Sequence, residues 1–186
     1  MNKILLIISV LLLSITVKAQ DTINSHNAEI TVVTSKTIRE IAKNSEKKNT
    51  LFFTFGTWCE PCRHHLPTAI KLAKDYNLDL YVLLVDAQKD EQRIDFAKLY
   101  ITGLHENLKI AILDDAVYGN KLKKRNKQFV TEVTPPQFEN IDDFSKYILL
   151  NKDGEVIMVT NWKDNRDNDW RDDSKMVQQR IAPLLK

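Results

Sequence analysis

Two cysteines separated by two residues are the clearest chemical feature of this sequence. Cys59 and Cys62 lie in the segment Trp-Cys-Glu-Pro-Cys, and the chain has no other cysteine. A structural disulfide stabilises a fold largely by closing a long loop, and so short a gap closes almost none. A redox or metal-binding role is therefore favoured over a purely structural one.

The spacing predicts different roles for the two thiols. Apolar residues after the motif, among them Leu66 and Ile70, recur at helical intervals, so the cysteines are expected at the start of a helix. Unpaired amide groups and the positive end of the helix dipole lower the pKa of a thiol at that position. We expect Cys59, beyond the first turn, to be the nucleophile. Cys62 would then attack the mixed disulfide and release the reduced substrate.

Three neighbours of the cysteines are further candidates. Pro61 suits an early helical position, where its missing N–H costs nothing. A carboxylate at Glu60 disfavours a second negative charge nearby, so it is expected to raise the pKa of Cys59 and favour reductant behaviour. The alternative for Glu60 is a partner of the helix dipole without a redox role. Trp58 is expected to cover Cys59 and contact substrate, or simply to pack.

The segments around the motif predict an alternating α/β chain. Short apolar runs bounded by polar turns are typical of buried strands, and longer stretches with apolar residues at helical spacing are typical of helices. The predicted strands are 30–34, 51–55, 78–85 and 108–113, and the predicted helices are 37–45, 59–76 and 90–104. This alternation implies right-handed βαβ units and a parallel sheet.

The last third of the chain predicts a different arrangement. A basic helix or irregular insertion is expected at 117–130, its charged side chains forming a solvated face, and a proline-containing loop at 134–143. Residues 146–150 and 155–160 flank the turn that ends at Gly154, which can adopt the positive φ of a hairpin. After a charged loop, one terminal helix is predicted at 170–185.

The first 19 residues are typical of a secretory signal peptide. A positive charge at Lys3 precedes the apolar stretch 4–13, and the segment 17–19 resembles a cleavage site before Gln20. Cleavage would remove two of the 27 Lys and Arg residues and none of the 25 Asp and Glu residues, leaving no net formal charge. We therefore expect a single domain at 20–186, located in the periplasm or otherwise exported, and no nucleic-acid ligand.

With these features in view, the sequence resembles the TlpA/ResA-like thioredoxin family over about residues 50–186. The similarity lies in Trp58 to Cys62 after an apolar strand, in the following Leu66-Pro67, in the strand 78–86 and in the hairpin around Gly154. The resemblance implies an α/β thioredoxin-like fold, with a mixed sheet of four to five strands and helices on both faces. It also implies that the protein reduces protein disulfides and needs no cofactor. The electrons would come from a membrane or periplasmic thiol electron donor.

The sequence lacks a proline that the family normally has. In the family this proline precedes the hairpin strand and follows a cis peptide bond. Counting back from Gly154 puts Ser145 or Lys146 at this position, and Pro135 and Pro136 come too early. A cis bond before a residue other than proline costs about 2.5–4 kcal/mol, so a trans bond is expected. Ser145 thereby becomes a candidate substrate-binding residue in a rebuilt loop.

A second departure concerns proton transfer. Many reducing members of the family carry a glutamate where this sequence has His65, and the buried aspartate of thioredoxin would align with Phe53. His65 lies three residues after Cys62 on the predicted helix and is the candidate to exchange its proton. Alternatively, His64 and His65 both lie on a half-exposed helix face without a chemical role.

Two other functions remain open at this point. The thiols with His64 and His65 could bind copper or zinc, and loss of the proline would open room for a metal. A redox-silent binding module could also keep this fold, although the intact Cys-Glu-Pro-Cys segment argues against it.

Overall fold

The computed structural model describes residues 29–186. The predicted signal peptide lies outside the described residues and stays a prediction. Within the described range, no helix combines the length and apolar character needed to cross a bilayer. The elements are β1 (Ile30–Val33), α1 (Ser35–Asn44), β2 (Asn49–Phe55), α2 (Glu60–Asp75), β3 (Asp79–Leu84), α3 (Glu91–Leu104), β4 (Lys109–Leu113), α4 (Asp115–Tyr118), α5 (Leu122–Val133), β5 (Tyr147–Asn151), β6 (Val156–Val159) and α6 (Ser174–Arg180).

One mixed sheet contains all six strands, in the order β1-β4-β3-β2-β5-β6. The strands β1, β4, β3 and β2 are parallel, whereas β5 is antiparallel to β2 and β6 to β5. The expected α/β thioredoxin-like fold is confirmed. The expectation of four to five strands was too low, since the sheet of the described residues has six. Every segment predicted as a strand joins this sheet, and β4 lies between β1 and β3.

The central strand β2 is buried along its whole length because helices cover both faces of the sheet. Leu51, Phe53 and Phe55 point into one core, which also contains the apolar sides of α2, α3 and α6. Phe52 points into the other core, formed with α1, α4 and α5. Two covered faces explain why β2 is a continuous apolar run and not an alternating one.

Helix α2 contains an internal proline that the fold accommodates. Pro67 has no N–H, so the carbonyl of Arg63 one turn earlier loses its usual helical donor. The hydroxyl of Tyr100 in α3 lies 3.4 Å from this carbonyl and can donate to it. The packing of α3 on α2 therefore partly compensates for the missing bond.

The charged side chains of the basic segment 117–130 were predicted to form a solvated face, and the structure departs from this at one residue. The segment folds into α4 and α5, and Arg125 is fully buried. Its guanidinium group donates to Asp115 and to the carbonyls of Leu113 and Gly119. These acceptors all lie in the segment 113–119, and two of them are backbone carbonyls, so the residue types around Arg125 could not reveal its burial.

The C-terminal region is less helical than predicted. Only Ser174–Arg180 forms an α-helix, and Ala182–Leu185 continues as a 3₁₀-helical turn. The preceding charged loop contains a 3₁₀-helical turn at Trp162–Asn165, capped by the side chain of Asn161. Residues 170–173 form a turn and an irregular segment instead of a helix, and the carbonyl of Trp170 reaches His65 in α2.

The predicted hairpin is present, and its turn requires glycine. Gly154 has a φ of 74°, and a Cβ atom there would lie 2.7 Å from the carbonyl oxygen of Arg39.

We expect Gly154→Ala to lower the free energy of unfolding by about 1–3 kcal/mol. Gly103→Ala in α3, where a Cβ would meet nothing within 4 Å, should instead stabilise by about 0.5–1 kcal/mol. Urea unfolding of both variants tests this, and an equal effect at the two positions would contradict it.

Candidate active site

The end of β2 delivers both cysteines to one edge of the sheet. The strand ends at Phe55, a turn follows, and Cys59 is the N-cap of α2 with Cys62 in its first turn. The two residues are joined in a disulfide, with their Cα atoms 5.2 Å apart. Cys59 retains 6% of its surface exposed and Cys62 none. The predicted helix start and the order of accessibility therefore agree with the structure.

The start of α2 supplies a favourable environment for negative charge on Cys59. The Cys62 amide N–H lies 3.2 Å from the Cys59 sulfur and donates to it. When the disulfide is reduced, this amide and the positive end of the helix dipole favour a thiolate over a thiol. The arrangement can support nucleophilic attack by Cys59 on a disulfide.

Glu60 and Pro61 lie on the solvent side of the motif. The Glu60 side chain is 60% exposed, and its nearest basic neighbour is His64, at 3.9 Å between Oε1 and Nε2. Pro61 is exposed in the first turn, where no helical hydrogen bond is lost. Water screens the carboxylate, so any influence of Glu60 on Cys59 is expected to be small.

Trp58 is held over the site by two contacts. Its indole N–H donates to Asp86 Oδ1 at 2.9 Å, and its ring packs edge-on against Phe144 with 4.8 Å between centroids. Gly56 allows this position, since a Cβ there would lie 2.8 Å from the indole ring. Trp58 remains 38% exposed, so it combines a fixed orientation with an accessible surface.

Asp86 was not identified from the sequence as a site residue, although a signal existed. It lies two residues after the end of β3, and parallel neighbouring strands end at the same edge of the sheet, where β2 delivers the cysteines. Asp86 is buried, and its Oδ1 also accepts from Arg93 at 3.2 Å. Its role in the structure is to orient Trp58.

Ser145 lies where counting back from Gly154 put it, two residues before β5 begins at Tyr147. It has a φ of 63°, and no cis peptide bond occurs among residues 29–186, as expected. Lys146, the other candidate for this position, is buried and its ammonium group bonds Asp143 and the carbonyl of Thr160. Burial lowers the pKa of Lys146, opposed by Asp143. Lys146 thus supports the loop and faces away from solvent.

Pro135 and Pro136 do not replace the absent proline. They line a groove with Arg39, Val156 and Ile157 near the hairpin. The residues that face the dithiol region from the loop are Phe144, against Trp58, and Ser145, against α2.

The two adjacent histidines have different environments, so the expectation of a shared half-exposed face was wrong for one of them. His64 is exposed and packs edge-on against Trp170. His65 is 8% exposed, with Nδ1 2.8 Å from Ser145 Oγ and Nε2 2.7 Å from the carbonyl of Trp170. The structure thereby brings together Ser145 and His65, both predicted as site residues.

A buried aspartate completes the surroundings of His65. Asp173 Oδ2 lies 3.6 Å from His65 Nδ1 and accepts a 2.6 Å hydrogen bond from the hydroxyl of Tyr147. Burial raises the pKa of Asp173, opposed by His65, by the hydrogen bond from Tyr147 and by the nearby hydroxyl of Thr68. Sequence reasoning missed Asp173 because it lies far along the chain in a charged segment that looks like a surface loop.

The arrangement offers no support for the metal-binding alternative. Within residues 29–186, no group of three or more His, Cys, Asp or Glu side chains is placed to hold a metal ion. Both ring nitrogens of His65 already face protein oxygens.

Comparison with known proteins adds little to this description. No family model matches the chain, and no curated protein does. One similar solved structure is the solution structure of a protein proposed to be a thiol-disulfide oxidoreductase from Bacteroides vulgatus, 22% identical over 64% of this chain and 68% of that one, with a TM-score of 0.38. A likeness this distant carries no argument about function, so the chemistry must be argued from the site itself.

The position of Trp58 can be tested through the two aspartates that contact Arg93. Asp86→Ala removes the acceptor of the indole N–H, so we expect a loss of about 1–3 kcal/mol in stability and faster exchange of that proton. Asp90 is the N-cap of α3 without a side-chain capping bond, so Asp90→Ala loses an exposed ion pair with Arg93 and a negative charge at the helix start, and it should cost under about 1 kcal/mol. Urea unfolding and NMR of the Trp58 indole measure both effects. Unchanged exchange in Asp86→Ala would show that Asp86 does not hold the ring.

Proposed function

We propose that this protein is a thiol-disulfide oxidoreductase that reduces disulfides in protein substrates. The observation that carries the proposal is the Cys59–Cys62 pair at the first turn of α2, with the more accessible sulfur at the N-cap. This geometry suits a nucleophile that meets substrate and a buried thiol that completes the reaction.

In the proposed cycle the reduced protein acts first through Cys59. Its thiolate attacks one sulfur of the substrate disulfide, forming a mixed disulfide and releasing the other sulfur as a thiolate. Cys62 then attacks the Cys59 sulfur. The substrate leaves as a dithiol, and the enzyme is left as the disulfide seen in the structure.

Substrate would approach along the exposed edge of the sheet. Trp58 offers an accessible aromatic surface there, and Pro61 lies exposed in the first helical turn. Ser145 lies opposite on the loop before β5. We propose that these three residues form the substrate-binding surface, with Cys59 between them.

The finer classification rests on sequence. The resemblance to the TlpA/ResA-like family and the signal peptide predicted at residues 1–19 support an exported reductase, recharged by a membrane or periplasmic thiol electron donor. Recovery of the protein from the periplasmic fraction with Gln20 as its first residue would support export.

The roles of the two cysteines are distinguishable. We expect Cys59→Ser to abolish insulin reduction, because the nucleophile is lost, and Cys62→Ser to accumulate mixed disulfides with substrate, because nothing resolves them. Mass spectrometry of the trapped adducts and iodoacetamide labelling of the wild type measure this. If Cys62 is the thiol alkylated first, the assignment is wrong.

Glu60 tests whether the motif is tuned toward reduction. Glu60→Gln should lower the pKa of Cys59 and raise the reduction potential of the pair, since a negative charge is removed. Because the carboxylate is largely exposed, the rise should not exceed about 30 mV, a tenfold change in the equilibrium constant. Glu40→Gln on α1, across the sheet, is the control. Equilibration with glutathione measures both variants, and a fall in potential would contradict the proposed role.

A further inference from the structure

The cluster around His65 contains more than a substitute for the family's glutamate. His65 is in contact with three segments: its own helix α2, the loop before β5 through Ser145, and the C-terminal segment through Trp170 and Asp173. His65 and Cys62 are both buried residues of α2.

The hydrogen bond to Trp170 assigns the tautomer of His65. A backbone carbonyl can only accept, so Nε2 must carry a proton at 2.7 Å from Trp170 O. The neutral ring is then protonated at Nε2 and has its free electron pair at Nδ1. Nδ1 is therefore the atom at which a proton is gained or lost.

The neighbours of Nδ1 suit both protonation states. The Ser145 hydroxyl can donate to the neutral ring and accept from the protonated ring, so the 2.8 Å contact is kept in either case. Asp173 Oδ2, 3.6 Å away, adds attraction only when the ring is charged.

Asp173 has a physical reason to favour that charge. It is completely buried, and its Oδ1 finds no hydrogen-bond partner among the described residues. A buried carboxylate with an unsatisfied oxygen is costly, and a positive charge arriving on His65 offsets part of the cost. Tyr147 already donates to Oδ2 and keeps that oxygen directed at the cluster.

Cys62 is the acid that can use this base. It lies one helical turn before His65, a spacing that puts the two Cβ atoms roughly 5–6 Å apart on the same side of α2. Among the other titratable groups near the motif, Asp86 accepts from Trp58 and Arg93 through Oδ1 and has no partner at Oδ2 among the described residues, and Glu60 and His64 lie exposed on the outer side.

We propose that His65 Nδ1 takes the proton of Cys62 when the mixed disulfide is resolved, and that Asp173 is the positioning residue that stabilises the resulting imidazolium. The inference rests on the proposed oxidoreductase function. In the step, the Cys62 S–H proton moves to Nδ1, the Cys62 thiolate forms a bond to Cys59 sulfur, and the Cys59–substrate bond breaks. The substrate sulfur leaves with the electron pair, so in this step Cys62 is oxidised as the substrate sulfur is reduced, and Cys59 exchanges its substrate partner for Cys62.

The charged and titratable groups that face His65 set the expected pH dependence. They are Asp173 and Asp172 from the C-terminal segment, Tyr147 from β5, and His64 with Glu60 on the outer side of α2. Burial and Asp173 raise the pKa of Tyr147, so it stays a neutral donor. Asp172 is exposed, and its pKa is lowered chiefly by its hydrogen bonds with Ser174. Asp173 is the buried charge nearest to Nδ1, so its removal should move the pH profile.

The test uses the reduced full-length protein and dithiobis(nitrobenzoate), a small aromatic disulfide whose thiolate absorbs light. Attack by Cys59 releases one nitrothiobenzoate, and attack by Cys62 releases a second, so the two steps appear as separate phases. We expect His65→Gln to slow the second phase by about 10²-fold and to leave the first within about twofold. His64→Gln, at the exposed neighbouring position, should leave both phases unchanged.

Asp173→Asn keeps the shape of the side chain and an acceptor for Tyr147 but removes the charge. We expect it to slow the second phase and to move the low-pH limb of that phase to lower pH, because the imidazolium loses its carboxylate. Asp172→Asn is the matched control and should change neither. A merely structural role for Asp173 would lower stability without separating the two phases.

Three outcomes would overturn the inference: an unaffected second phase in folded His65→Gln, an unmoved pH profile in Asp173→Asn, or a neutral His65 protonated at Nδ1. The last is read from ¹⁵N chemical shifts of the wild-type ring, so it decides the matter even if a variant does not fold. If the wild type itself releases no second nitrothiobenzoate and reduces no insulin, the proposed function fails instead.

Discussion

Backbone hydrogen bonds between β2 and β5 join the half of the chain that carries the cysteines to the half that supplies Ser145 and Asp173. Phe53 pairs with Tyr147, and at the end of the ladder Thr54 N–H donates to the carbonyl of Lys146 while the Lys146 N–H donates to Thr54 Oγ1. A slip of one residue would turn every β5 side chain to the other face of the sheet. The Tyr147 hydroxyl would then be lost from Asp173.

The interior of this protein holds several charged groups, and their environments differ in a way that bears on function. Arg125 and Lys146 each donate to a carboxylate and to at least one backbone carbonyl, which offsets most of the cost of their burial, although Arg125 Nε has no partner among the described residues. Removing one partner of such a buried charge typically lowers the free energy of unfolding by several kcal/mol. Asp173 keeps one oxygen without a partner among the described residues. An unpartnered carboxylate oxygen beside a histidine lowers the stability of the fold, but it favours a proton on the imidazole.

Much of the first half of the fold could be predicted because its signals are local. Continuous apolar runs identified β2 and β3, and helical spacing after Cys62 identified α2. In the second half the helical pattern at 170–185 was misleading, since residues 170–173 form a turn and an irregular segment beside α2. The burial of Arg125 was equally invisible, because two of its three acceptors are backbone carbonyls, which no residue type reveals.

Local sequence is enough to predict the dithiol, its place at a helix start after a buried strand, the α/β class and the absence of a proline before the hairpin strand, since each depends on residues close together in the chain. The burial of His65 beside an exposed His64, the bond from Trp58 to Asp86 and the approach of Asp173 to the imidazole arise only when the chain is folded. These contacts join residues far apart in sequence. They depend on the register of β5 and on the path of an irregular segment, for which no periodic pattern exists.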